Sequence, residues 1–280
     1  MADAFERVST ELAVIVPQIW SKNYYDVLLA NLPFNSIVSR DYEGEIQNLG
    51  DRVKIATFPE FSAAAEIAES ATNDADAVTV TSQSLVIDKR IVKDFIITNL
   101  ALTQSLPAMQ KLQDLAIHAI QKRMQALIIA AIVPNAAAPD HSIAYTAGST
   151  LALADVLASK RLLDAQDVPM ENRHMVIGAS QLNDLFNITG LTSTDFGASN
   201  APLLNGALPS QILGYMPHFT SIAGSTSYFF HTSFMTVAAQ EGMNVKQFDK
   251  GIDGSRSMRI NCDTLFGLKQ LAALRVVTVG

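Results

Sequence analysis

The sequence predicts an α+β fold on three observations: two extended stretches flanking an acidic segment, one long helix after residue 105, and a strand-rich final third. Bulk composition supports a packed protein of that kind. Apolar residues make up 49% of the 280 and charged residues 17%, ample for a core and too apolar for disorder. That length suggests one large domain or two modest ones. Sparse charge leaves much uncharged surface, which a subunit that buries surface against neighbours tolerates. The net charge is −7 and no basic stripe is visible, whereas tight DNA binding rests on phosphate contacts. Any nucleic-acid partner would be enclosed and not clasped.

Cys262 stands alone, so no intrachain disulfide forms, as suits a reducing compartment. In Met258-Arg259-Ile260-Asn261-Cys262 it reads as a small buried hydrophobe. The first residues lack the basic region of a secretory signal, and the apolar run 126–133 is too short to span a bilayer. Synthesis in the cytoplasm and no membrane partner are expected. Asn187-Ile188-Thr189 fits a glycosylation pattern that has no consequence without secretion.

Taken in order, the first forty-odd residues read as an arm and not as the opening of a compact core. Pro17 breaks the apolar stretch 12–16, and Trp20, Tyr24, Tyr25, Leu28 and Leu29 follow at near-helical spacing. Two readings stand open: an amphipathic helix packed on its own domain, or an arm lying over a neighbouring subunit. Leu49-Gly50-Asp51 signals a turn, and Arg52-Val53-Lys54-Ile55 alternates as a half-buried strand does. A second extended stretch, 78–97, is rich in Val, Ile and Thr. Between them, residues 60–77 carry Glu60, Glu66, Glu69, Asp74 and Asp76, no base, and only Phe61 and Ile67 as large apolar residues. Such a segment reads as a long projecting hairpin or as an acidic surface loop.

The long helix is expected over 105–133, with Ser105 as cap and Pro107 in the first turn. Leu112, Ala116, Ile120, Met124, Leu127 and Ala131 mark one apolar face, with Gln113, Gln121, Lys122 and Gln125 off it. Its length would be roughly 40 Å at 1.5 Å per residue. Mixed α/β structure follows: Thr150 caps a helix over 151–165, 174–178 reads as a buried strand, and Ser180 caps a short helix to Phe186. Residues 189–210 hold three glycines, two prolines and little periodicity. Strands are expected at 228–230, 234–238, 258–261 and 274–279.

Chemistry-bearing patterns are scarce. His118, His141, His174, His218 and His231 show no metal-ligand spacing. Gly178-Ala179-Ser180-Gln181 lacks the second glycine of a nucleophile elbow, and no glycine-rich phosphate loop is present. Asp249, Asp253 and Gly254 only faintly resemble a calcium loop. No cofactor, metal or catalytic residue is expected.

The order of arm, hairpin, long helix, α/β region and closing strands resembles the capsid fold named after phage Hong Kong 97. Several stretches are similar to the tailed-phage major capsid family in wording too. Residues 45–55, Glu-Ile-Gln-Asn-Leu-Gly-Asp-Arg-Val-Lys-Ile, resemble the approach to its extended loop, and Leu85-Val86-Ile87-Asp88-Lys89 the strand leaving it. Leu204-Asn205-Gly206-Ala207-Leu208 and Ile212-Leu213-Gly214-Tyr215-Met216-Pro217 look like the passage into a strand of its axial domain. Phe229-Phe230-His231-Thr232-Ser233-Phe234 and Thr264-Leu265-Phe266-Gly267-Leu268-Lys269 resemble closing strands of its peripheral domain.

The resemblance implies an N-terminal arm over 1–48, an extended loop with flanking strands over 49–98, and a peripheral domain with its spine helix over 99–149. An axial domain over 150–223 and return strands of the peripheral domain over 224–280 complete the chain. It implies a coat protein that self-assembles as pentamers and hexamers into an icosahedral head, a virion location, and enclosed double-stranded DNA held without sequence-specific contacts. No charged helical extension precedes the arm, so a separate scaffolding protein, or none, and no proteolytic maturation are expected; a portal is the other expected partner. Acids Glu66, Glu69, Asp74 and Asp76 are the expected intersubunit contacts, with Lys111, Lys122 and Arg123 of a neighbour as basic counterparts. An encapsulin-like nanocompartment shell is the alternative, and an oligomeric cytosolic α/β enzyme the more distant one.

Overall fold

The computed structural model describes residues 29–43, 45, 52–59, 61, 64, 66, 77–98, 107–146, 150–188, 210–250 and 257–280. In chain order the elements are α1 (Phe34–Ile37), β1 (Arg52–Thr57), β2 (Thr81–Val86), β3 (Lys89–Thr98), α2 (Pro107–Ala130), β4 (Ser142–Ile143), α3 (Leu153–Asp164), β5 (Arg173–Ile177), α4 (Ala179–Asn187), β6 (Met216–Phe219), β7 (Ser227–His231), β8 (Met235–Lys250), β9 (Ser257–Gln270) and β10 (Val276–Val279).

Two sheets and a hairpin organise them. The larger sheet has the order β4-β10-β7-β5-β6, with β10–β4 and β5–β6 parallel and β10–β7 and β5–β7 antiparallel. All five residues of β5 are buried, as a central strand covered on both faces requires. On one face Met175, Ile177, Phe229, Val277 and Val279 pack with Val156 and Leu163 of α3 and Leu185 of α4. On the other, Val176, Tyr228, Phe230 and Val276 pack with Phe34 of α1 and Ile128 of α2. The smaller sheet, β3-β9-β8, is antiparallel throughout. Ala116 and Ile120 of α2 lie on one of its faces, against Ile260 and Cys262 of β9 and Ile91 and Phe95 of β3.

Several expectations change. Phe34, Ile37 and Val38 are buried in the main core, so the first forty-odd residues do not all stay outside it. The Phe34 ring stacks on Phe230 with centroids 5.4 Å apart, and burial of so much aromatic surface holds this segment down. The stretch 78–97 is two strands in different sheets. The strands at 228–230 and 274–279 pair in the five-stranded sheet as β7 and β10. Four buried residues in a row, Ser227 to Phe230, suit a central strand and not a half-exposed one.

Helix α2 keeps most of the expected stripe, since Ala116 and Ile120 are buried and Met124, Leu127 and Ala131 pack against the main core, with two departures. Leu112 is exposed, while Gln125, expected off the apolar face, is fully buried. Its Nε2 donates to Thr220 Oγ1 at 2.9 Å, because α2 is covered on one side by the small sheet and on another by residues 29–38. The expected cap Ser105 lies outside the described residues. Thr150 does not cap α3: Ala152 occupies that position, and its N–H donates to Asp155 Oδ2 at 2.9 Å. Nor does Ser180 cap α4. Gly178 does, at a point where a Cβ would lie 2.0 Å from the Gly224 carbonyl oxygen. The last long strands, β8 and β9, run far past their expected ends.

Candidate assembly interface

Strands β1 and β2 pair over six residues, from Arg52 opposite Val86 to Thr57 opposite Thr81. The hairpin root is fixed to the body. Leu85 and Ile87 are buried with Ala238, and Val53, Ile55, Tyr42 and Leu265 pack around them. Gly267 allows the closest approach, since a Cβ there would sit 2.3 Å from the Val86 carbonyl oxygen. Gln83 Nε2 donates to the Leu271 carbonyl at 3.1 Å. Beyond the last pair this support ends. Phe58 is 72% exposed and Phe61 69%, and Val78 and Val80, leading into β2, are half-exposed.

Glu66 is exposed; Glu69, Asp74 and Asp76 lie outside the described residues. On α2, Lys111 is half-buried and Lys122 and Arg123 are exposed. Lys111 and Lys122 are eleven residues apart, three helical turns, so they share a face of α2 about 16 Å apart along its axis.

Sequence reading missed the second surface, the face of the small sheet opposite α2. Arg90, Val92, Asp94 and Ile96 of β3 alternate onto it. Across the ladder they meet Leu265, Asp263, Asn261 and Arg259 of β9, which meet Glu241, Asn244, Lys246 and Phe248 of β8. Arg90 Nη2 donates to Asp263 Oδ2 at 2.7 Å. Arg259 donates twice to Asp94 Oδ2, from Nε at 3.1 Å and from Nη2, while Asn261 Nδ2 donates to Asp94 Oδ1. These Arg259 bonds hold the Asp94 carboxyl below the usual carboxylate range. Ile96, 55% exposed, stands opposite Arg259, and Arg259 stands opposite Phe248, 52% exposed. The signal was present in the alternation of 90–96 and 259–265, but only register shows that the two sets share a face.

The histidines are packed or paired. His141 is buried with Nδ1 3.0 Å from the Val276 carbonyl oxygen, His118 meets the Ala30 carbonyl, and His174 and His218 approach to 3.1 Å on neighbouring strands. Among the described residues no group of three or more His, Cys, Asp or Glu is placed to hold a metal ion. No helix among them is long and apolar enough to cross a membrane. A shallow cleft beside α3 and α4 is lined by Thr150, Leu151, Ala152, Asp184 and Asn187, and Asp184 there accepts a hydrogen bond from the Leu151 N–H at 3.0 Å.

The family profile described as phage capsid protein matches residues 98–247, just over half of the chain. A solved structure from Mycobacterium phage Che8 is similar over 95% of this chain and 97% of that chain, with TM-score 0.76 and 22% identity. The capsid structure of cyanophage P-SCSP1u is similar over 96% and 93%, with TM-score 0.73 and 12% identity. The capsid asymmetric unit of cyanophage Pam1 is similar over 95% and 96%, with TM-score 0.71 and 16% identity. At these identities the likeness is one of fold. No curated protein matches the sequence.

Proposed function

Because this chain belongs to the phage capsid protein family, we infer that its work is association: it is the major capsid subunit, and its copies close into the head shell. Its fold is the Hong Kong 97-like capsid fold. Beyond this, we propose that the copies cluster as pentamers and hexamers and enclose double-stranded DNA without sequence-specific contacts, and that a separate scaffolding protein and a portal assist. The acidic balance of the chain supports the second point, since phosphate contacts would demand a basic surface. We assign it no catalytic role.

One observation carries the assembly reading. The hairpin is anchored at its root in the subunit's own core, yet it carries Phe58, Phe61, Val78 and Val80 outward without cover. Burying a large apolar side chain stabilises by about 1.5–3 kcal/mol, whereas an exposed ion pair contributes about 0–1 kcal/mol. The aromatic flanks therefore outrank Glu66, Glu69, Asp74 and Asp76 as the source of docking energy on a neighbour. The acids steer and align, toward basic groups such as Lys111, Lys122 and Arg123 of that neighbour. Closed symmetry repeats each contact and multiplies it.

Electron microscopy of the purified chain, expressed with the genes that flank it, tests the reading. Uniform large shells filled with DNA are expected. A small discrete oligomer overturns it, and shells that package a protein cargo favour a nanocompartment. Sedimentation velocity then ranks the contacts. Phe58→Ser with Phe61→Ser should abolish particles at every salt concentration, while neutralising the four acids should weaken assembly modestly and mainly at low salt.

A further inference from the structure

We propose that His174 and His218 form a chelating pair for a first-row transition-metal ion such as Zn2+, a site that ties the edge strand β6 to β5. The two residues lie 44 apart in sequence, so no local spacing announces them. Parallel pairing of β5 with β6 sets His174 opposite Met216 and Val176 opposite His218. The two histidines therefore stand diagonally on neighbouring strands, on one face of the five-stranded sheet. His174 Nδ1 and His218 Nε2 approach to 3.1 Å, with the ring centroids 5.2 Å apart.

That separation is the bite of a chelate. Two zinc–imidazole bonds of about 2.0–2.1 Å, set at about 95–110° to each other, hold their nitrogens about 3.0–3.4 Å apart. A single proton between the rings makes the pair an ordinary hydrogen bond, and a metal ion takes the place of that proton. The strands supply the preorganisation. His174 is buried, with its ring centroid 6.0 Å from that of Phe230. His218 is only half-buried, on the outermost strand of the sheet, so the pair keeps contact with solvent.

The surroundings select the class of ion. Burial holds the His174 imidazole down to about 4 and lowers His218 as well, so both rings are neutral at pH 7, the form that ligates. Beyond burial, the groups that bear on His174 are His218 and His231, and no carboxylate joins them. A pair of imidazoles suits Zn2+, Ni2+ or Cu2+, whereas Mg2+ and Ca2+ require oxygen ligands. Among the described residues no third His, Cys, Asp or Glu completes a cluster, so water fills the remaining positions. The consequence falls on β6, which has four residues and pairs only with β5. A metal bond across the two strands stabilises that edge, whether or not the chain assembles into a shell.

The test uses the purified full-length chain, stripped with a chelator, dialysed and melted with and without zinc chloride at pH 7. Saturating Zn2+ should raise the melting temperature by roughly 5 °C, because the ion binds the folded arrangement only. Magnesium chloride should leave it unchanged. His174→Asn and His218→Asn should each lose the rise, while His118→Asn, at a distant histidine, should keep it. His218→Asn alters a half-buried side chain on an edge strand, so it decides the matter even where His174→Asn fails to fold. With one equivalent of Cu2+, electron paramagnetic resonance should show coupling to two nitrogens in the parent chain, and not in His218→Asn. Absence of a Zn2+-dependent rise in the parent chain overturns the proposal and leaves the pair as a hydrogen bond. A rise that His218→Asn retains overturns it too, since the ion then binds elsewhere.

Discussion

In the five-stranded sheet β5 is buried along its whole length between helices, whereas in the three-stranded sheet β3 alternates between residues under α2 and residues left open. The first region holds even a buried cation by bonds within the subunit. Arg173, almost wholly buried, donates to Asp164 Oδ1 at 2.6 Å, to the Val168 carbonyl at 2.5 Å and to the Pro169 carbonyl at 2.9 Å. The second region extends strands past the helix that covers them and leaves Val92, Ile96 and Phe248 uncovered beside an ion-pair ladder. One region is closed by its own chain, and the other leaves apolar surface that a neighbour would cover if the proposed assembly is right. The difference teaches that residues of one chemical type are buried in one sheet and exposed in the other according to what covers each face.

Four perturbations probe that division. The largest effect is expected at Phe230, which packs on Phe34 and lies 4.6 Å, centroid to centroid, from Phe234. Phe230→Ala should destabilise the subunit by about 3–5 kcal/mol, measured by urea unfolding with circular dichroism. A loss below about 1 kcal/mol would mean that the five-stranded sheet is not the stabilising half. Arg173→Ala should cost about 2–3 kcal/mol, less than a fully buried pair would, because Asp164 retains access to water.

Acid should act on the same sheet. Burial, followed by the nearby His218 and His231, holds the His174 imidazole down to about 4. Burial likewise lowers His218 and His231. Above about pH 6.5 these groups are neutral whether the chain is folded or not, and their contribution to stability is complete. As pH falls from about 6.5 toward 4, the unfolded chain takes up protons first and stability declines. The urea midpoint should therefore be lower at pH 5 than at pH 7, and His174→Asn should narrow that gap. The smallest effect on the subunit is expected on the open sheet face. Ile96→Thr with Phe248→Thr should change unfolding free energy by no more than about 0.5 kcal/mol per site, while particle formation, followed by light scattering, falls. Normal particles from that variant would remove the open face from the interface.

The sequence by itself determined the element types and their order. Periodicity marked α2, alternation marked β1, and the run of acids between extended stretches marked the hairpin, because side-chain spacing follows directly from backbone geometry. Tertiary structure alone decided which sheet each strand joins and which arc of each helix is buried. Tyr228 to Phe230 read as strand in either place, and only pairing with β5 assigns them to the five-stranded sheet. Gln125 looks polar and outward by spacing, yet Thr220 of a distant segment takes its hydrogen bond and it is buried. The acidic residues were legible as a cluster; the exposed aromatic flanks and the 90–96 and 259–265 face were not. Exposure depends on what other segments happen to cover, and strand pairing and burial are long-range properties that no local window contains.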